Sequence, residues 1–248
     1  EGVNIATAQP AAVEEVQGVN NRLQLADLER AFQRREANRL MTEGASLADP
    51  SRIDVRGKLT IGTDISIDVG CIFEGDVTLA DDVVIGAHCG IRNATIGAGA
   101  NIAPHSVIDG AVLEGDNNVG PFARLRPGTE LARGARIGNF VETKNAQVGV
   151  DAKINHLSYV GDATLGEAVN VGAGTITCNY DGANKFRTEI GANAFIGSNS
   201  ALVAPLKIGA GATVGAGSTL SRDVAEGALS VARGKRIDKP EWPRPTKK

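Results

Sequence analysis

The residues of this sequence best suited to chemistry are one histidine and a pair of cations. His156 is one of three histidines, and an imidazole that titrates near neutral pH suits proton transfer. Arg126 and Lys144 lie 18 positions apart. If that spacing is one period of a repeating fold, the two cations stack and repel each other, and a bound anion such as a phosphate would explain them. Solvated surface charges are the alternative.

The other two histidines, His88 and His105, are 17 positions apart and are expected to stack in the same way. A stacked pair could bind a metal, but catalytic zinc normally takes three protein ligands and keeps one open position. His156 falls about three periods further on, about 14 Å away, and cannot be the third ligand. We therefore expect no metal site within one chain, while ligands shared between chains stay open.

The element that must position these residues is a repeat of six. An aliphatic or aromatic residue recurs at every sixth position from Ile61 to Ile91, and the pattern returns from Ile190 to Leu220. Neither a helix nor an alternating strand has a period of six. Three hexads make one coil, so residues 17 or 18 apart stack about 4.8 Å from each other. The sequence predicts an all-β solenoid, a parallel β-helix of hexapeptide repeats.

Counting coils places His156 in one slot with Ala173, Ser198 and Ala216. An imidazole at the foot of a track of small residues leaves a shallow groove that suits a long, thin ligand such as a pantetheine arm. Small residues are also what a tight turn tolerates, and this plainer explanation remains open. The run 175–186 is too long for a corner and is predicted to leave the coil as a loop, where repeat proteins tend to place function.

Composition limits the class of protein. The 248-residue chain has a net charge of −3, which argues against a general nucleic-acid binder. No apolar run approaches the length of a membrane span, and no signal peptide is visible. The three cysteines form no CxxC pair and indicate free thiols in a reducing compartment. We expect a cytoplasmic protein without nucleic-acid or membrane partners, and a fragment of a longer one, since it begins at Glu1.

A helix is expected before the solenoid. Asn20 or Asn21 could cap it, and Gly44 could end it. Its apolar face is predicted to consist of Leu25, Leu28, Phe32 and Leu40. Such a helix could cap the solenoid or serve as an arm to another domain.

Three runs carry a resemblance to a known family: PFARLRPG at 121–128, GNFVE at 138–142 and NVGAGTITCNYDG at 170–182. They resemble the bacterial bifunctional N-acetylglucosamine-1-phosphate uridyltransferase/glucosamine-1-phosphate acetyltransferase, and the likeness covers about residues 18–248. It implies a left-handed parallel β-helix that forms a homotrimer with active sites between subunits. The general crossover rule alone would have favoured a right-handed helix.

The residue pattern divides the chain. The repeat runs over residues 58–230 after a helical arm and connector (20–57), and residues 231–248 leave the repeat as a basic tail. This tail is either a solvated segment or a basic arm that meets a phosphate-rich ligand. The resemblance implies that 58–230 is the acetyltransferase β-helix and that residues 1–19 are a remnant of a uridyltransferase domain or a linker. Residues 18–22 are similar to the segment that closes the family's uridyltransferase domain, where the residue matching Asn20 helps to bind Mg²⁺. We expect neither a metal site nor uridyltransferase activity from Asn20 without that domain.

The implied reaction is acetyl transfer from acetyl-CoA to the 2-amino group of glucosamine 1-phosphate, in the synthesis of UDP-N-acetylglucosamine for peptidoglycan and lipopolysaccharide. His156 matches the family's general base. Arg126 and Lys144 match its sugar-phosphate contacts, and the positions that match its sugar site are Tyr159, Asn170 and Lys185. Those that match its acetyl-CoA contacts are Ala173, Ser198, Ala216 and Arg233, with Asn179 and Tyr180 lining the loop on the cofactor side.

Two other functions remain to be weighed. One is a hexapeptide-repeat acetyltransferase that acts on a different amine or hydroxyl, which the pair Arg126 and Lys144 disfavours because an acceptor without phosphate does not need it. The other is a non-catalytic trimerisation scaffold, which His156 at the foot of an intact track disfavours. A covalent acyl-enzyme at Cys178 is a third reading, but the sequence places no base for it.

Overall fold

A computed structural model describes Gly2, residues 6–234 and Pro240 of the chain. Most of the expected basic tail, namely Lys235, Arg236, Lys239, Arg244, Lys247 and Lys248, lies outside the described residues. The described part begins with a 3-10 turn, Val13–Glu15, and one α-helix, α1 (Arg22–Thr42). Strands make up the rest of the fold. No helix in these ranges combines the length and apolar character needed to cross a membrane.

The strands form a left-handed parallel β-solenoid of about 10 turns, as predicted. One sheet is a single face, with one strand from each coil: β1 (Ser46–Leu47), β3 (Ser66–Ile67), β5 (Val84–Ile85), β7 (Asn101–Ile102), β10 (Asn118–Val119), β13 (Arg136–Asn139), β15 (Lys153–His156), β17 (Asn170–Val171), β20 (Phe195–Ile196), β23 (Thr213–Val214) and β25 (Leu229–Ser230).

The second sheet covers the other two faces. Its strands are β2 (Ile53–Ile61), β4 (Cys71–Leu79), β6 (Gly90–Ile96), β8 (Val107–Asp109), β9 (Val112–Leu113), β11 (Arg124–Leu125), β12 (Glu130–Leu131), β14 (Glu142–Val148), β16 (Tyr159–Leu165), β18 (Ile176–Cys178), β19 (Thr188–Ile190), β21 (Ala201–Val203), β22 (Leu206–Ile208) and β24 (Thr219–Leu220). We call the first sheet A and the second sheet B.

The hexad residues form the core. Ile67 pairs in register with Ile85, and Ile85 with Ile102. Ile102 and Ile108 are fully buried. Each coil thus adds one layer of aliphatic side chains to ladders that run the length of the solenoid. The period of six is confirmed as the spacing between faces.

The long strands of sheet B bend at one corner, where the backbone turns through positive φ. The residues with positive φ at this corner, which we call the corner column, are Gly57, Gly75, Asn93, Gly110, Gly128, Asn145 and Asp162. Glycine and asparagine tolerate this left-handed conformation best. Asp162 is the one acidic member of the column.

The helix begins and ends where the sequence predicted. The side chain of Asn21 accepts a hydrogen bond from the N–H of Gln24, and Gly44 follows the helix with φ +109°. Both caps satisfy backbone groups that the helix itself leaves unpaired.

The predicted apolar face of α1 is wrong for two of its members. Leu25 is 56% exposed and Phe32 is 39% exposed, whereas Gln33, Ala37 and Leu40 are buried. The Gln33 amide donates to the carbonyl of Val55 (2.9 Å) and accepts from its N–H (2.7 Å). Val55 lies in β2, the edge strand of sheet B. The face of the helix that points towards the solenoid is therefore the one that hydrogen-bonds to an open strand edge. The helix covers the first coil.

The predicted loop is shorter than the sequence suggested. Ile176–Cys178 still form β18, which pairs with β21 in register. The chain leaves the solenoid only over residues 179–187 and returns at β19. The hexad pattern is lost in β18 because its inward residue is Thr177, which is buried although polar.

Candidate active site

His156 is the last residue of β15, at the corner where the chain passes from sheet A to sheet B. It pairs in register with Asn139 one coil below. Its Nδ1 lies 2.8 Å from the side-chain oxygen of Asn139. An amide oxygen only accepts hydrogen bonds, so Nδ1 carries the proton and donates it. The imidazole is exposed, and its Nε2 is left as an acceptor, as a general base requires.

The track predicted above His156 is confirmed as an alignment. Ile154 pairs with Val171, Val171 with Ile196, and Ile196 with Val214. The residues two positions later in each coil therefore stack: His156, Ala173, Ser198 and Ala216. In the described part of the chain, the backbone N–H groups of the last three donate to no protein acceptor. The track is thus a row of small side chains with free donors between them.

Arg233 lies at the upper end of this track. A Cβ atom on Gly217, next to Ala216, would lie 3.8 Å from Cδ of Arg233. It is the one cation of the predicted basic tail that falls within the described residues.

A column of charged side chains runs up sheet B from the first coil. The residues that follow one another in it, by register, are Arg56, Glu74, Arg92, Asp109, Arg126 and Lys144. The signs alternate up to Arg126, and Arg92 lies 3.7 Å from Asp109. Such opposite pairs on adjacent strands stabilise a sheet, and like charges destabilise it. The alternation fails at Arg126 and Lys144, as the sequence spacing predicted.

Arg126 has an acidic partner, so a bound anion is not needed to explain its position. Its guanidinium donates to Glu142 at 2.8 Å. Glu142 lies two residues before Lys144 on the same side of β14, so it reaches Arg126 diagonally. The case for an anion site therefore depends on Lys144 and its other neighbours.

Lys144 lies beside a second lysine from the loop. The pKa of Lys144 is lowered, first because the side chain of Lys185 contacts it and repels its charge, and further by desolvation and by Arg126. Asp162 opposes this effect. Three cations thus converge on one spot of sheet B, and a ligand with two negative charges would relieve their repulsion.

Tyr159 reaches the same spot. Its neighbour Gly161 pairs in register with Lys144. A Cβ atom on Gly161 would collide with the phenol hydroxyl of Tyr159, so the ring lies over the glycine. The phenol thereby occupies the place in the charged column directly above Lys144. We call Arg126, Lys144, Tyr159 and Lys185 the cation cluster.

Asn170 is not brought to the cation cluster. It lies in sheet A, where it pairs with Lys153 below and Phe195 above. The corner that contains His156 separates the two faces. Within one chain, Asn170 and the cation cluster therefore lie on either side of this corner.

The loop that carries Lys185 has a closed neck. Tyr180 and Lys185 form an antiparallel bridge, and the N–H of Phe186 donates to the carbonyl of Asn179 at 2.9 Å. Asn179 is buried, and its amide donates to the carboxylate of Asp162. Tyr180 is exposed at the rim of the loop. The amide of Asn179 is therefore occupied inside the protein rather than directed at the track.

Asn139 and Asp162 were missed by the sequence analysis. Both could have been found by coil counting, since Asn139 lies 17 positions before His156 and Asp162 lies 17 after Asn145 and 17 before Asn179. Their significance depends on which side chains hydrogen-bond across coils, and the repeat alone does not state this.

The stacking of the other histidines is confirmed. The rings of His88 and His105 lie 5.2 Å apart, and Phe122 and Phe140 continue the stack. Within the described residues, no group of three or more His, Cys, Asp or Glu side chains is placed to hold a metal ion.

Comparison with known proteins identifies relatives along the whole chain. Residues 187–222 match the family described as bacterial transferase hexapeptide (six repeats). The chain is 62% identical over 246 residues to bifunctional protein GlmU of Marinobacter nauticus, which covers 99% of this chain and 54% of that protein. It is 59% identical over 247 residues to bifunctional protein GlmU of Ralstonia pickettii, covering 100% of this chain and 54% of that protein.

A solved structure shares the fold. The UDP-N-acetylglucosamine acyltransferase of Francisella novicida superposes with a TM-score of 0.53 at 16% identity, over 75% of this chain and 67% of that one. The chain spans about half the length of the curated relatives it matches. The resemblance predicted from its motifs is confirmed, and the chain is, over its whole length, a relative of bifunctional protein GlmU.

Proposed function

We propose that this chain transfers the acetyl group of acetyl-CoA to the 2-amino group of glucosamine 1-phosphate, giving N-acetylglucosamine 1-phosphate for UDP-N-acetylglucosamine synthesis. The observation that carries the proposal is the break in the charged column. Three cations and a phenol converge there without enough acidic partners, beside the corner that presents a histidine base. A phosphorylated amino sugar has a phosphate that the cations would bind and an amine that the histidine base would meet.

In this proposal, the cation cluster binds the sugar phosphate. Arg126 offers planar donors, and Lys144 and Lys185 act as point charges. Tyr159 contributes a hydroxyl, and Asn170 would contact the sugar from sheet A. Fixing the phosphate orients the amine, which turns a bimolecular encounter into a positioned attack.

His156 is the proposed base. The amine nitrogen attacks the thioester carbonyl carbon, and Nε2 of His156 takes a proton from that nitrogen. The carbon–sulfur bond then breaks, and the coenzyme A thiolate leaves and is protonated. The oxyanion formed on attack needs donors. The free N–H of Ala173, one coil above the base, and the hydroxyl of Tyr159 are the candidates.

The small-residue track is the proposed path of acetyl-CoA. Ala173, Ser198 and Ala216 leave room for the pantetheine arm, and their free N–H groups suit its amide carbonyls. Arg233 at the upper end would meet the phosphates of the coenzyme. Asn179 and Tyr180 would line the loop side, with Asn179 acting through its position at the neck.

We further propose that the active unit is a homotrimer with the site between subunits. Two observations support this: Asn170 and the cation cluster lie on different faces of one chain, and Phe122, Phe140 and Leu157 form an exposed apolar edge next to the base. An exposed patch of this kind usually marks an interface. The partners of this assembly would be small molecules, with neither nucleic acid nor membrane.

The boundaries of the proposed units follow the sequence. Residues 58–230 would be the catalytic β-helix, 20–57 the arm and connector, 1–19 a linker or a remnant of a preceding domain, and 231–248 the basic tail. Mg²⁺ would belong only to a uridyltransferase domain, since Asn20 supplies a single exposed side-chain amide; its backbone N–H donates to the side-chain oxygen of Gln24. The free cysteines fit a cytoplasmic location.

The test is thiol release from acetyl-CoA with glucosamine 1-phosphate. We expect turnover by the wild-type chain and a loss of about 10²- to 10⁴-fold in kcat for His156→Ala. His88→Ala, an exposed histidine four coils below whose ring stacks on His105 and not on the apolar edge, is the matched control and should keep full activity. Glucosamine without phosphate should be a poor acceptor. Absence of turnover from a folded wild-type oligomer, or full activity of His156→Ala, would contradict the proposal.

A further inference from the structure

The corner column contains one residue whose charge the turn does not require. Asp162 has φ +47°, and its counterpart one coil below, Asn145, also has φ +47°. Further down, the corner is made by Gly128, Gly110 and Asn93. Glycine or asparagine therefore suffices for this backbone. A buried carboxylate is costly unless it is paired, so the acid at 162 calls for another reason.

The carboxylate of Asp162 is held between two amides. Nδ2 of Asn145 donates to one oxygen at 2.6 Å, and Nδ2 of Asn179 donates to the other. Asp162 itself is only 9% exposed. Burial alone would raise its pKa, but the two amides and the charges of Lys185 and Lys144 more than offset this, and the pKa lies below its usual range. Asp162 is therefore a fixed negative charge.

This charge acts on the cation cluster in two ways. It attracts Lys144 and Lys185, the two lysines that repel each other. It also anchors Asn179, whose carbonyl accepts the N–H of Phe186 and so closes the neck of the loop beside Lys185. One carboxylate thus fixes both the loop and the charge that the loop delivers.

We propose that Asp162 is a positioning residue for the anion site. Through the loop neck at Asn179, Asp162 holds Lys185 against Lys144 before the phosphate arrives. This inference rests on the proposed function for the identity of the phosphate ligand. Asp162 does not touch the ligand, and its effect is to prepare the site so that binding does not have to order the loop.

Asp162→Asn is the variant that isolates this role, because asparagine already makes the same turn at Asn145. The variant removes the negative charge. Its new side-chain NH2 group then faces one of the two amide donors that bind the carboxylate, so one of these hydrogen bonds is lost. We expect the KM for glucosamine 1-phosphate to rise about 10-fold or more, and the KM for acetyl-CoA, whose proposed path only borders the loop at Asn179 and Tyr180, to rise by a smaller factor. Asp151→Asn, at an exposed turn with φ +54°, is the matched control and should change neither constant.

A double variant tests the route of the effect. If Asp162 acts through Lys185, then Asp162→Asn combined with Lys185→Ala should have the same KM for the sugar phosphate as Lys185→Ala alone. If the two substitutions instead raised the KM for the sugar phosphate by the product of their separate factors, the route through Lys185 would be contradicted. An unchanged KM for the sugar phosphate in Asp162→Asn, or an equal rise for both substrates, would overturn the proposal.

A second measurement separates this inference from the proposed reaction. Inorganic phosphate should raise the thermal midpoint of the wild-type chain, as any ligand of the native state does, and should raise that of Asp162→Asn less. This readout needs no turnover. A wild type that is stabilised by phosphate but does not transfer acetyl groups would refute the reaction and leave the anion site in place. Equal stabilisation of both chains would refute the role of Asp162.

Discussion

The side-chain oxygen of Asn139 lies 2.8 Å from Nδ1 of His156, one coil above it in the same slot of the solenoid. This hydrogen bond fixes the tautomer and the plane of the imidazole, and it directs Nε2 outwards. Asn139 is neutral, so it orients the imidazole of the proposed base without placing a charge beside it. The same role falls to carboxylates in many catalytic histidine sites, where the imidazolium is also stabilised.

The Asn139–His156 pair predicts two different outcomes for two substitutions. Asn139→Ala removes the orienting bond, and we expect kcat to fall about 10- to 100-fold with both KM values little changed. Asn139→Asp keeps the bond but places a carboxylate beside the imidazole, which favours the protonated ring. Because the base must be neutral, the acidic limb of the pH–rate profile should move to higher pH. Identical pH profiles for Asn139→Asp and the wild type would contradict this role.

Lys144 predicts a pH dependence of substrate binding. Its pKa is lowered, chiefly by Lys185, so it loses its positive charge at a lower pH than an ordinary lysine. The KM for glucosamine 1-phosphate should therefore rise on the alkaline side as this charge is lost. Lys144→Arg keeps its charge throughout this range, and the alkaline rise should be reduced. Measurement of KM between about pH 7 and 10 compares the two, and an identical rise in both would rule Lys144 out as its source.

The small-residue track predicts a steric effect confined to one substrate. Ala216 is exposed on the track, and Ala216→Leu would place a branched side chain in the path proposed for acetyl-CoA. We expect the KM for acetyl-CoA to rise at least about 10-fold, while the KM for glucosamine 1-phosphate stays the same.

The control for this variant lies in the same slot lower on the solenoid. Ala87 follows Ile85 by two residues, as Ala216 follows Val214, and it lies below His156. Ala87→Leu therefore makes the same change to the same kind of corner and should leave both KM values unaltered. If Ala216→Leu behaved like Ala87→Leu, the track would be merely a set of turns.

Thr188 predicts a gain in stability. Among the described residues, its hydroxyl is the one buried side-chain group without a hydrogen-bond partner. Thr188→Val keeps the shape and removes the unpaired group, and the free energy of unfolding should increase by about 1 kcal/mol. Thr177 is the comparison, because its hydroxyl donates to the carbonyl of Gly161 and accepts from its N–H. Thr177→Val should lower the free energy of unfolding in urea. Destabilisation of similar size by both variants would contradict the assignment.

Much of the fold could be predicted because a single spacing determines it. The hexad period places Ile85 over Ile67 and His105 over His88, and the structure bears out both stacks. The track above His156 follows from the same arithmetic, once the loop is counted out. The handedness of the coil is not contained in a period, and it came from the resemblance.

What the sequence could not predict depends on side chains that reach between coils or elements. Glu142 pairs with Arg126 diagonally, and counting stacked positions does not reveal a diagonal contact between neighbouring strands. The helix buries Gln33 rather than Phe32 because an open strand edge needs hydrogen-bonding groups more than apolar ones. Asp162 was missed for the same reason, since its role depends on the two amides that donate hydrogen bonds to it.

Because His156 and Ala216 lie in the same slot of different coils, the number of coils between them sets the distance that separates them. Each coil touches only the coils above and below it, and each adds a rise of about 4.8 Å. The distance from the base to Ala216 is three such steps, about 14 Å, and it can change only in whole steps. A coil added below Asn139 would leave this distance unchanged, whereas one added between Val171 and Ile196 would lengthen the groove by a full step. In the proposed function, the reach of the groove for the pantetheine arm is therefore set by the number of coils, and only the gain or loss of a whole coil changes it.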